Sequence, residues 1–286
     1  MRLGVRATRW FPAKTGRLLL VLLAAGMSIG WSGPTVRHVA WAAVDFFPPD
    51  LARQVRRNHR RFDRGIQRGL EAPPAWRATA PGSLLAAFDD QYARCSEGLR
   101  QPIPLADLVE ELGVLAVRVL DANDPLAAGH SDPREPEYSA DYQAYVNSIL
   151  QRVRLVYYGP DDRLSHQDVG GAFELCLDRS RELYPFVGAE FYRTGTRRSK
   201  ASFDDRSLAF GIAAISLSHA MTDLANLSAH VWSGGGGSVP APRPTPTGHV
   251  GPTVTVAPLA GGFPERDRPR EGRPVMGRQQ LALPPT

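Results

Sequence analysis

The sequence predicts an all-α domain that is exported and followed by an unstructured tail. Three observations carry this expectation. Between Trp31 and Trp232 the apolar residues recur at three- and four-residue spacing in one stretch after another. No run in that span alternates at period two for long enough to read as a strand. At Ser233 the composition turns abruptly to Gly, Pro and Thr. The chain has 286 residues, 43% of them hydrophobic, and once the two atypical ends are set aside the remainder suits one domain of ordinary size.

The N-terminus carries Arg2, Arg6, Arg9, Lys14 and Arg17, then an apolar run from Leu18 to Ala25, then the small residues Ser28 and Gly30. That is the pattern of a secretory signal over residues 1–30, with cleavage before Trp31. The apolar run is shorter than the roughly 20 residues of a spanning helix, so cleavage is expected over anchoring. The expected location is therefore periplasmic or secreted.

Val39, Ala42, Ala43 and Phe46 place a helix over residues 35–47, with Pro34 suited to its first turn and Pro48-Pro49 ending it. Asp50 is a good N-cap for a second helix, which buries Leu51, Val55, Phe62, Ile66 and Leu70. Further amphipathic helices are expected over residues 83–99, 105–123, 139–156 and 169–192. Ser202-Phe203-Asp204-Asp205 resembles a capping box ahead of the last helix, residues 208–232. That helix is apolar nearly all round, as a central bundle helix is. The tail, residues 233–286, has too little apolar surface to offset its ordering entropy. Pro240 to Pro246 favours local polyproline II, and Thr253-Val254-Thr255-Val256 is too short and isolated for a stable strand.

Lys and Arg number 34 against 29 Asp and Glu, a net charge of +5. Arg53, Arg56, Arg57, Arg60, Arg61, Arg64 and Arg68 make one face of the second helix basic. The ordinary reading is a solvated face. The sharper one is an anionic membrane surface or other polyanion met by Arg57, Arg60 and Arg64. Nucleic acid is disfavoured, because no aromatic residues are interleaved for base stacking. Cys95 and Cys176 lie on apolar helical faces. They either pair, as an oxidising compartment permits, or stay buried as small hydrophobes.

Four passages carry a family resemblance. They are Trp31-Ser32-Gly33-Pro34-Thr35-Val36-Arg37-His38, Phe47-Pro48-Pro49-Asp50-Leu51, the stretch from Leu115 to Ala127, and Ser202 to Gly211 with Thr222-Asp223-Leu224-Ala225-Asn226-Leu227. In order and spacing they resemble the bacterial zinc-dependent phospholipases C, related to the single-strand nucleases. The resemblance implies that family's helical bundle over residues 31–232 and phosphodiester hydrolysis as the ancestral activity. It also implies a centre of three zinc ions, which in this chain has lost most of its ligands. The helix His has become Val117 and the Pro-Leu-His has become Ala127. The downstream His-x-x-x-Glu pair corresponds to Ser139 and Gln143, and the Pro-Asp ligand to Pro73-Pro74. Trp31, through its amine and carbonyl, with His38 and Asp121, remains able to hold one Zn2+, provided cleavage frees the amine.

Against that single-zinc site stand ordinary structural roles: His38 packed on Trp41, and Asp121 bonding local backbone. His130 offers a ligand only by a shifted register, and His59, His166, His219 and His230 read as structural or surface residues. Arg118 either turns inward to pair with Asp121 or points outward. The leading expectation is an exported phospholipase C-like pseudoenzyme acting as an envelope or binding protein, with phospholipid or an anionic membrane surface as partner. The alternatives are a residual single-zinc phosphodiester hydrolase, and an anionic lipid- or polyanion-binding module acting through the arginine face.

Overall fold

The computed structural model describes residues 30–72, 81–101, 103–129 and 131–239. All belong to the first of the two units into which the chain divides, Met1–Pro242. The residues before Gly30, where a signal segment is expected, Pro73-Pro74, His130 and the residues from Pro240 on lie outside the described residues. Among the described residues ten α-helices run in the order α1 (Gly33–Val44), α2 (Pro49–Arg57), α3 (His59–Leu70), α4 (Pro81–Arg100), α5 (Leu105–Ala122), α6 (Pro125–Ala128), α7 (Glu135–Ile149), α8 (Asp162–Ser165), α9 (Val169–Phe191) and α10 (Leu208–Gly234). There is no strand among the described residues, so the all-α expectation holds.

Two helices form the centre. α10 packs against α1, α4, α5, α7, α8 and α9, which is why its sequence is apolar on almost every face. Its 27 residues and mean hydropathy of 1.4 would suit a membrane span, yet 67% of its most apolar window is buried inside the fold. α5 is the second: every residue from Leu112 to Ala122 is buried. α3 crosses α5 at unusually short range, because glycines face each other there. A Cβ on Gly65 would lie 1.9 Å from the Glu110 carbonyl oxygen, and one on Gly113 would lie 2.3 Å from that of Phe62. Only the absence of both side chains lets the two backbones touch.

Several boundaries differ from the sequence expectation. The second helix is two helices, α2 and α3, broken at Asn58 (φ −105°, ψ 31°). Both the backbone N–H and the side-chain amide of Asn58 donate to the Gln54 carbonyl. The break leaves Leu51, Val55, Phe62 and Ile66 all buried, so the apolar pattern ran through it unseen. Asp50 does not cap: Pro48 holds that position, and Asp50 sits in the first turn, paired with Arg53. Nor does Ser202 cap the last helix. Ser207 does, its hydroxyl accepting from the Phe210 N–H, while Ser202 closes a 3-10 turn.

The helix expected over residues 139–156 ends at Ile149. The chain then runs non-helically along α10, with Val153, Leu155 and Tyr157 turned in and Arg154, Val156 and Tyr158 out. Its backbone groups find partners on a stripe of α10. Ser218 accepts from the Val156 N–H, Thr222 from the Tyr158 N–H, and the Asn226 amide donates to the Gly159 carbonyl. Ser218, Thr222 and Asn226 recur every four residues, one turn apart on one helix face. The period-two signal in Val153-Arg154-Leu155-Val156-Tyr157-Tyr158 is short, and only the polar stripe 60 residues away makes it meaningful.

Candidate functional site

The described positions that the resemblance assigns to the metal centre come from α1, α5, α6, α7 and the residues just before α1. α1 packs against both α5 and α7. Trp31 is buried, with its indole 6.1 Å from the Tyr142 ring on α7. The next residue, Gln143, donates from Nε2 to the Gly30 carbonyl at 2.7 Å, so it reaches the peptide bond that precedes Trp31. Asp121 is buried in the last turn of α5, and His38 is half-buried on α1. Val117 and Ala127 are buried among apolar neighbours in the core. The indole N–H of Trp31 and the hydroxyl of Tyr142 are both buried without a hydrogen-bond partner among the described residues. Burial pushes the Tyr142 phenol well above its ordinary range, and the nearby Asp124 carboxylate adds to the shift.

Asp124 has a separate task. Its side chain accepts from the Leu126 N–H and caps α6. Asn123, between Asp121 and Asp124, bonds the Val119 carbonyl and Asp223. No group of three or more His, Cys, Asp or Glu side chains gathers among the described residues in a way that would hold a metal. With Gly30 attached, the Trp31 nitrogen is an amide and has no lone pair to give. His38, Asp121 and one carbonyl then remain, one protein donor fewer than in a chain cleaved before Trp31.

Arg118 turns inward. It is 1% exposed, one helical turn before Asp121, and lines a cleft of about 450 Å³ between α3, α4 and α5. Arg68, Arg94, Gln91, Glu71 and Glu111 also line this cleft. Arg68 donates to Glu110 and Glu111, Gln91 to the Glu111 side chain and carbonyl, and Arg94 to Asp90. The walls thus carry a fixed polar network with three guanidinium groups against two carboxylates.

Three of the seven arginines on the face of α2 and α3 meet the acidic start of α5. Glu110 collects Arg61, Arg64 and Arg68, and Asp107 also reaches Arg61. Arg53 and Arg56 pair with Asp50 and Asp45. Of the three arginines proposed from sequence, Arg64 lies 3.8 Å from Glu110, whereas Arg57 and Arg60 are exposed and form no ion pair among the described residues.

Both cysteines are free and buried. The Cys176 thiol lies 3.1 Å from the Asp223 carboxylate, which also accepts from Asn123 and Arg179. Burial raises the Cys176 pKa well above its ordinary value and pushes that of Cys95 up to about 12, so both remain thiols. His219 packs tilted against Tyr158 with ring centroids 4.5 Å apart, and His166 Nδ1 lies 2.9 Å from the Asp162 carbonyl. His230 is different: it meets Tyr92 at 2.5 Å on the wall of a second cleft. No spacing rule links residues 138 positions apart on different helices, so the sequence held no signal for that pair. No protein-family model, curated protein or solved structure matches the chain.

Proposed function

We propose that the protein is an exported member of the zinc-dependent phospholipase C and nuclease scaffold that has lost hydrolytic chemistry and binds anionic, phosphate-bearing ligands at the cell envelope. One observation carries this reading: the hydrogen bond from Gln143 to the Gly30 carbonyl. Through it the position assigned to a ligating carboxylate reaches the peptide bond that cleavage would break, so it stands beside Trp31, the expected first residue of the mature chain; the bond itself belongs to the uncleaved chain. At that position stands a neutral amide, which donates a hydrogen bond where zinc would need an anionic oxygen. Val117 and Ala127, both buried, remove two further ligands from the same neighbourhood. In the cleft alongside, Arg118, Arg68 and Arg94 supply guanidinium groups suited to phosphate oxygens.

The experiment uses the exported, processed protein. Its zinc content is measured together with phosphodiester hydrolysis and the binding of vesicles rich in anionic phospholipid. Zinc well below one per chain, no zinc-dependent turnover, and vesicle binding weakened in Arg94→Gln support the proposal. About one zinc per chain, lost together with hydrolysis in His38→Ala, would overturn it in favour of a single-zinc hydrolase at Trp31, His38 and Asp121. The burial of Trp31 and Asp121 is what favours that second reading. The exposed Arg57 and Arg60 favour the third, a polyanion-binding face. In that case vesicle binding would fall steeply with salt and be lost in the Arg57→Gln/Arg60→Gln variant, with Arg94→Gln unaffected.

A further inference from the structure

A second cleft, of about 460 Å³, opens between α4, the start of α9 and the end of α10, a size that suits a small organic ligand. Tyr92, Ser96 and Arg100 stand one turn apart along its α4 wall, and His230, Ser233 and Gly234 form the α10 side. No carboxylate lines it, and Arg100 makes no ion pair among the described residues. The Tyr92 hydroxyl meets His230 Nδ1 at 2.5 Å. Burial lowers the pKa of His230, so the ring is neutral. A neutral ring can accept from the Tyr92 hydroxyl at Nδ1.

At the rim, Gln167 holds φ 63°, a left-handed conformation that non-glycine residues seldom adopt outside constrained sites. It feeds directly into α9, a helix of 23 residues. Asp168 uses its carboxylate to accept from the Gly171 N–H, which leaves the first-turn N–H groups of Val169 and Gly170 without intrahelical acceptors. A Cβ on Gly170 would meet only open space, so that turn is accessible.

We infer that this cleft binds a phosphate oxyanion, with Arg100 as the charged anchor, Gln167 and the first turn of α9 as further donors, and the Tyr92–His230 pair as a rigid wall. The donors come from a helix, a loop and a helix start, so the acceptor must present oxygens in several directions. A tetrahedral phosphate does this and a planar carboxylate does not. The site is separate from the cleft at Arg118 and does not depend on the function proposed above.

The test is an amide NMR titration of the full chain with inorganic phosphate, repeated with vesicles containing anionic phospholipid. Saturable perturbation of the Val169, Gly170 and Gly234 amides is expected in at least one arm. It should be weakened about tenfold or more in Arg100→Gln and unchanged in Arg181→Gln, which removes an equal charge elsewhere. The responding arm distinguishes free phosphate from a lipid headgroup. Arg100 and Arg181 differ in place but not in charge, so equal weakening by the two variants would mean bulk electrostatics and overturn the proposal. Perturbations that persist unchanged in Arg100→Gln would overturn it too, as would none at these amides in either arm. Ala72 and Val114 report on the cleft at Arg118, so failure at one site is distinguishable from failure at the other.

Discussion

Replacing Gly65 by Ala tests the claim that the α3–α5 crossing rests on missing side chains. The added Cβ would lie 1.9 Å from the Glu110 oxygen, 2.9 Å from its carbonyl carbon and 3.0 Å from the Gly113 Cα. Ordinary carbon–oxygen contact begins at about 3.3 Å, so the helices would have to separate by about 1.4 Å. All three obstructing atoms are backbone, so no rotamer change relieves the clash. Separation would also loosen Phe62, Ile66 and Leu112, all buried, and would move Glu110 away from Arg61 and Arg68. Overpacking of this kind costs about 3 kcal/mol, which for a domain of this size lowers Tm by about 6–12 °C. The assay is thermal unfolding followed by circular dichroism, with Gly211→Ala as the comparison. A Cβ on Gly211, inside α10, meets nothing within 4 Å. That change should instead stabilise by about 0.4–1 kcal/mol. A Gly65→Ala protein that melts with the parent, or a Gly211→Ala protein that loses as much as Gly65→Ala, would refute the reasoning.

Thr222→Val keeps the shape of the side chain but removes the acceptor of the Tyr158 N–H, and should cost about 1–3 kcal/mol. Hydrogen exchange at the Tyr158 amide should accelerate while amides in α5 stay protected. His219 and His230 both have folded pKa values lowered by burial below the ordinary 6.5. A base whose folded pKa is depressed binds fewer protons folded than unfolded, so stability falls as pH drops through about 6.5. Denaturant midpoints compared at about pH 7.5 and about pH 5.5 should show this loss, and a His219→Gln/His230→Gln protein should show less of it. Cys95 and Cys176, buried and held as thiols, should react with a thiol reagent only after denaturant is added. A fast native reaction of either would contradict their burial.

Local chemistry determined which segments of this chain are helical. Apolar spacing placed α1, α4, α5, α9 and α10 close to their observed limits, because one buried stripe per helix is written into consecutive residues. The all-round apolarity of residues 208–232 marked α10 as central, and its packing against six other helices agrees. What depends on groups distant in sequence was not legible. Asn58 interrupts a helix without disturbing its apolar phase, so only backbone geometry reveals the break. Residues 150–160 leave the helical state because Ser218, Thr222 and Asn226 offer their backbone an alternative set of partners.

The same division holds for function. The resemblance read from the sequence named Trp31, His38 and Asp121 as what would remain of a centre and Val117, Ala127, Ser139 and Gln143 as its losses. Only the tertiary structure turned Arg118 inward, set Gln143 on the Gly30 carbonyl, gathered Arg61, Arg64 and Arg68 on Glu110, and brought Tyr92 to His230. The physical reason is range. Helix propensity, capping and apolar phase act within a turn or two of the chain, whereas burial, ion pairing and hydrogen bonds between helices depend on how the whole chain packs.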